Sequence, residues 1–261
     1  MNGSRALCLL GLTIGLLAAA PAMSDSPVAP LHIAAEDWPP YVTSALPDNG
    51  VAAAAASTVF ARLGNVLEVD YFPWKRTMEF GLHDPRYAGF MAVWRTPERE
   101  KLCYFSSPIA STQTVLAYLK EAPLQASSLS ELKGVRIGTV GGYANDDEFE
   151  TQVRKGALQV EEGVNDETNL RKLLSKRFAA IVIEKRVLRY LLSTPQFRAE
   201  RDRIGFAGNL FRERPVHICF KRSPEGQARQ RAFNAAARDL DLPKFERDYW
   251  RRLGDEALPG G

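Results

Sequence analysis

From residue 31 onward, short apolar and β-branched runs alternate with longer stretches in which apolar positions recur every three or four residues. That alternation predicts a mostly parallel sheet flanked by helices. Two series stand out. The first predicts strands at 31–35, 66–72 and 87–94, with helices at 51–63 and 74–82 between them. In the earlier helix Val51, Ala55, Val59 and Leu63 recur at intervals of four, one apolar face for a sheet to bury, and Gly64 stands where a left-handed residue ends a helix. The second series predicts strands at 114–119, 135–140, 159–161 and 178–183, with one helix through Phe149 and Val153 and another through Leu170, Leu173 and Leu174. Asp166 precedes the latter helix, where a carboxylate can cap free backbone amides. The polar, turn-prone stretch 121–130 reads as a surface loop. A last strand, 216–220, leads into helices at 224–240 and 243–253, which have no sheet of their own and are expected back on the first series.

The expected architecture is therefore α/β with two lobes, residues 25–111 and 218–261 forming one and 112–217 the other. The chain would cross between them twice. Two crossing strands make a hinge, because a few residues can absorb the backbone rotation of closure. Small-molecule sites favour such interlobe clefts and the carboxyl ends of parallel strands.

Ahead of this pattern, Met1 to Arg5 run into an apolar stretch at 6–20 and then Ala20-Pro21-Ala22. This reads as an export signal, residues 1–24, cleaved after Ala22 or Ser24 and carrying Cys8 away with it. The apolar stretch is shorter than the ~20 residues a spanning helix needs, so the mature protein is expected to be soluble and periplasmic. Composition adds exclusions: 45% hydrophobic and 25% charged residues describe a globular protein rather than a disordered or fibrous one. The 34 basic and 31 acidic residues are interspersed, without the basic stripe that grips nucleic acid. Cys103 and Cys219 remain after processing and read equally as a disulfide or as two buried thiols. With His32, His83 and His217 they match no metal-ligand spacing. Gly138, Gly141 and Gly142 fit neither nucleotide-binding fingerprint, and no cofactor is expected.

Candidate chemistry gathers at the strand ends. Glu36-Asp37-Trp38-Pro39-Pro40-Tyr41 follows the first strand, Trp74-Lys75-Arg76 the second, and Trp94 closes the third. Three of four tryptophans thus share one end of one predicted sheet, which suits an aromatic clamp for a planar or cationic ligand better than core packing does. Arg76 can face the cleft or pair with Glu79, and Tyr41 is a further pocket candidate. These residues, with Thr96-Pro97-Glu98-Arg99, Phe105-Ser106-Ser107-Pro108-Ile109, and Leu129 to Leu132 followed by Gly134-Val135-Arg136-Ile137-Gly138, appear in an order and spacing that resembles the family 3 extracellular solute-binding proteins, amino-acid receptors of ABC importers.

The resemblance covers nearly the whole mature chain. It implies the type II periplasmic-binding-protein fold, Arg99 as a bidentate clamp for a ligand carboxylate, Trp38 and Trp74 as walls, a membrane permease as partner, and a monomer. A guanidinium fork suits a carboxylate and stays charged in a dry cleft, which favours the clamp over the alternative that Arg99 is one more charge in a solvated turn. Three departures from the family pattern count against an α-amino acid held in the standard way. Ala92 and Trp94 replace serines, Gly141-Gly142-Tyr143-Ala144 replaces a small polar loop, and Glu184 follows Ile183 where an aspartate is usual. Glu184 can neutralise a ligand amine or start the next helix; Tyr143 can reach the cleft or pack on its own lobe. The expected function is binding, not catalysis, of a small, polar, carboxylate-bearing ligand of aromatic or cationic character. The alternatives are a dehydratase using Glu184 opposite Arg99, and a sensory module.

Overall fold

The computed structural model describes residues 29–254 except Gly208, so the expected signal segment lies outside the described residues. The strands lie in the order β2-β1-β3-β10-β5-β8-β6-β7. β1 (Leu31–Ala35) runs parallel to β2 (Leu67–Tyr71) and β3 (Gly89–Trp94), and β6 (Arg136–Val140) runs parallel to β7 (Gln159–Gly163) and β8 (Ala180–Glu184). Two long strands join these halves. β5 (Ala110–Leu119) pairs through Ala110–Gln113 with β10 (Glu213–Lys221) and further along with β8, while β10 continues from Val216 onto β3. The chain thus passes between two α/β lobes at two adjacent antiparallel segments.

Helices cover both halves. α1 (Val51–Arg62) differs from the expected single-faced helix, because Val51 to Ala56 are all buried. Its run of alanines lets α7 (Pro224–Ala236) and α8 (Leu242–Leu253) approach from outside while the sheet is covered on the inside, which brings the C-terminal helices back to the first lobe as expected. α7 stops at Ala236 and continues only as a 3₁₀ turn, Ala237–Asp239, shorter than the helix predicted to 240.

Several elements are absent from the sequence reading. β5 begins four residues before the predicted strand, in the polar Ala110–Gln113 stretch, because β10 supplies its hydrogen-bond partners. β4 (Cys103–Phe105) and β9 (Ile204–Ala207) are short edge strands on β10 and β5. α3 (Pro97–Glu100) is a single turn, α4 (Asp147–Arg154) and α5 (Asp166–Leu174) match the two predicted helices, and α6 (Lys185–Ser193) follows β8 directly. Asn165, not Asp166, caps α5: its side chain accepts from the Thr168 amide at 2.8 Å, which corrects the expectation for Asp166. Cys103 and Cys219 are joined by a disulfide, their Cα atoms 5.5 Å apart.

One irregularity shapes the site. β3 and β10 slip register between His217 and Ile218, leaving Ala92 as the extra residue at φ 59. Such bulges re-aim the side chains around them, and this one lies between Met91 and Trp94 at the mouth of the cleft.

Candidate functional site

The chain leaves β1 through Glu36 and Asp37 into a tight turn in which Trp38 and Val42 exchange backbone hydrogen bonds of 2.7 and 3.0 Å. The turn holds the Trp38 ring stacked on Tyr41 at 4.8 Å. Trp74 is the first residue of α2 (Trp74–His83), and Trp94 is the last of β3. The three indoles converge from three strand ends of one lobe.

Arg99 reaches the same place from α3. The Thr96 hydroxyl caps that turn, accepting from the Arg99 amide at 3.2 Å. The guanidinium is only 8% exposed and lies 5.3 Å from the Trp74 ring. It donates to the main-chain carbonyls of Trp94 at 2.9 Å and Gly142 at 3.0 Å. Burial, with the charge of Arg214 nearby, holds its pKa down to about 10, so it remains cationic at neutral pH.

The opposing lobe contributes the loop after β6. Gly142 adopts φ 82, and a Cβ there would press on the Trp74 indole at 3.3 Å, so glycine lets the backbone come close. Its carbonyl accepts from both Arg99 and the Trp74 Nε1 (2.9 Å). The Tyr143 ring then enters the indole box, edge-on to Trp38, Trp74 and Trp94 at centroid distances of 6.4, 5.6 and 5.8 Å. Its hydroxyl donates to the Glu36 carboxylate at 2.6 Å. Only about 10 Å³ is left between Tyr143 and the box.

Beside the box the two lobes enclose a chamber of about 330 Å³, lined among others by Glu36, Asp37, Trp38, Asp166, Tyr190 and Phe197. Asp166 turns away from the helix amides it was expected to cap and accepts from Trp38 Nε1 at 3.0 Å. Burial raises the Glu36 pKa to about 8 against the opposing Tyr143 hydrogen bond, with Asp166 and Asp37 adding repulsion. Asp166 is raised to about 7, again chiefly by burial. The interlobe region therefore has a cationic pole at Arg99 and an acidic pole at Glu36 and Asp166.

Trp38, Trp74, Trp94, Arg99 and Tyr143 are brought together; Tyr41, Arg76 and Glu184 are not part of that group. Arg76 is exposed on α2; its amide donates to Pro73 O at 2.8 Å, and its guanidinium makes no hydrogen bond among the described residues. Tyr41 is fully buried behind Trp38 and donates toward Ser111 O (3.1 Å) and Glu184 Oε1 (3.0 Å). Glu184 caps α6, accepting from the Arg186 and Val187 amides at 2.6 and 2.9 Å, and also takes the Gln113 amide at 3.0 Å. Its carboxylate is saturated by these four donors, and it fastens both lobes to the crossing strand. Tyr41→Phe should cost about 1–2 kcal/mol in urea unfolding, since it takes one donor from a buried carboxylate; an unchanged midpoint would refute this fastening role.

Three participants, Glu36, Arg214 and Asp166, the last of them expected only as a helix cap, lie outside the candidate residues of the sequence. Glu36 adjoins Trp38 at a strand end, which was signal enough. Arg214, on β10, donates to Ala144 O at 2.9 Å and Asn145 O at 3.1 Å and lies 4.8 Å from the Trp94 ring. Its only sequence signal is a charge in a strand that crosses between the lobes. A larger open groove of about 890 Å³ on the outer side shares only Trp94 and Arg214 with the interlobe cluster.

No protein-family model matches the chain, and no curated protein does. Among solved structures, an ancestral arginine-binding protein bound to arginine superposes with TM-score 0.69 at 17% identity, covering 85% of this chain and 96% of the other. The GluR0 ligand-binding core from Nostoc punctiforme, in complex with L-glutamate, gives TM-score 0.67 at 20% identity, covering 87% of this chain and 100% of the other. The ancestral amino-acid-binding protein AncCDT-1, described as a precursor of cyclohexadienyl dehydratase, gives 0.64 at 16%, covering 88% and 95%. The fold is that of the type II periplasmic binding proteins.

Proposed function

We propose that the protein is a periplasmic receptor, released from a cleaved signal segment, that closes lobes 25–111/218–261 and 112–217 on a small carboxylate-bearing, amino-acid-like ligand and presents it as a monomer to an ABC-importer permease. The observation that carries this reading is the buried Arg99 guanidinium, a cation whose two acceptors are neutral carbonyls at the meeting point of the lobes. A carboxylate would give it a charge-assisted, bidentate partner in a low-dielectric slot. The acidic pole formed by Glu36 and Asp166 suits the ligand's positive end, so the favoured ligand is a zwitterion. Differential affinity for the closed form would then drive closure. The likenesses to arginine- and glutamate-bound proteins support the ligand class.

Calorimetry and thermal shift with amino acids, opines, polyamines and aromatic acids test the proposal; a folded protein that binds none of them overturns it. For a carboxylate ligand that does bind, Arg99→Gln should weaken affinity at least about thirtyfold, the loss expected when one partner of a buried hydrogen-bonded charge pair is removed. Equal affinity would remove the clamp from the proposal.

A second reading rests on Glu36 and Asp166, because carboxyl groups held protonated near neutral pH beside a carboxylate clamp are what acid-assisted elimination requires. Glu184, with four donors on its carboxylate, is the weaker candidate for that proton. Growth of aromatic ultraviolet absorbance from prephenate or arogenate would establish turnover; an unchanged spectrum would leave binding alone.

A further inference from the structure

We infer that Tyr143 is a resident occupant of the ligand slot, and that the ligand is a flat, ring-bearing molecule whose ring takes the place of Tyr143's. This rests on the reading of the interlobe slot as the ligand site. Tyr143 makes, from within the chain, the set of contacts expected of a captured ligand. The carbonyl just before it, that of Gly142, accepts from Arg99 and from the Trp74 indole, which is where a carboxylate oxygen would sit. Its ring meets three indoles at interplanar angles of 83°, 87° and 80°. Edge-to-face contacts on several sides select a flat aromatic or otherwise planar ring over a flexible chain. Its hydroxyl at the far end donates to Glu36.

These contacts come from the opposite lobe, so they hold the lobes together. With about 10 Å³ left over, the slot cannot take a ligand ring and Tyr143 together. A ring that enters the indole slot, rather than the chamber beside it, must displace Tyr143, and its apparent affinity is reduced by the fraction of molecules in which the tyrosine is in place. Tyr143 thereby sets both the threshold for binding and the shape that is accepted. A phenol or ring amine carrying a carboxylate two or three bonds from the ring reproduces all three contacts.

The test is calorimetry of wild type, Tyr143→Ala and Tyr143→Phe with 4-hydroxyphenylacetate and with p-cresol, each variant first shown to melt cooperatively. Tyr143→Ala should bind 4-hydroxyphenylacetate at least about tenfold more tightly than wild type. Tyr143→Phe, which keeps the ring but loses the bond to Glu36, should gain about fivefold, the value of one hydrogen bond. Should Tyr143→Ala fail to fold, the Phe variant decides alone. Affinities within twofold of wild type overturn the inference and leave the Arg99 test of the proposed function standing. If p-cresol gains as much as the acid and binds equally well, Tyr143's occupancy of the slot is upheld while the carboxylate clamp at Arg99 is refuted.

Discussion

Removing the Cys103–Cys219 bridge is expected to lower the unfolding free energy by about 4–5 kcal/mol, the chain-entropy value for a loop of this size. The cysteines are 116 residues apart, and the loop they close contains the whole excursion from β4 through the second lobe and back along β10. Cross-linking at its base denies the unfolded chain most of its freedom to separate those ends. Both cysteines are buried, at 2% and 1% exposure, so a reductant would act slowly and the double variant Cys103→Ala/Cys219→Ala is the cleaner probe. Its urea midpoint should fall well below that of wild type, and the second lobe should lose protection together with the first. A loss below about 1 kcal/mol would mean that the reduced, unfolded chain already keeps these ends together. Such bonds are characteristic of oxidising compartments, in keeping with the periplasmic receptor proposed above.

The legible parts of this molecule are those set by local pattern. Alternating apolar runs locate the strand ends at which Trp38, Trp74 and Trp94 stand, and the Thr96 to Arg99 turn needs only a capping hydroxyl three residues before the arginine. Parts made by distant pairing were not legible in the same way. Cys103-Tyr104-Phe105 is too short to announce a strand and becomes one because β10 lies alongside. Asp166 reads locally as a cap, but Asn165 performs that task while Trp38, 128 residues away, claims the carboxylate. Tyr143 and Glu36 are 107 residues apart, and nothing in either neighbourhood foretells their hydrogen bond. Glu184 reads equally as a partner for a ligand amine or as the start of the next helix, and its carboxylate takes the second role, accepting from its own helix amides and from Tyr41.

Raising the pH from about 5 to 8.5 should destabilise the protein by a few kcal/mol, seen as a fall in melting midpoint of about 10 °C. The sign follows from the two interlobe carboxyls. Glu36 is raised from 4.5 to about 8 and Asp166 from 3.8 to about 7, so across this window the folded chain holds protons that the unfolded chain has released. Stability then declines with pH, because the native state binds more protons than the unfolded one. The contribution is complete below the ordinary carboxylate range and is lost as pH climbs through 7 and 8. Physically, ionising Glu36 places a charge in a buried box beside Asp166 and Asp37, while the Tyr143 hydroxyl compensates only in part. Separating the lobes would return both carboxylates to water, so the same rise in pH should favour opening. Glu36→Gln keeps an oxygen for Tyr143 and carries no charge; it should flatten the profile between pH 6 and 8.5, and Asp166→Asn should do so between pH 5 and 7.5. A wild-type midpoint that is constant or climbs over this range would show that the two carboxyls ionise freely within the fold, and the acidic pole would then be hydrated rather than dry. A cationic ligand group would reverse the trend, since it stabilises the ionised pair, and a slope that changes sign on adding ligand would identify Glu36 and Asp166 as the seat of its positive charge.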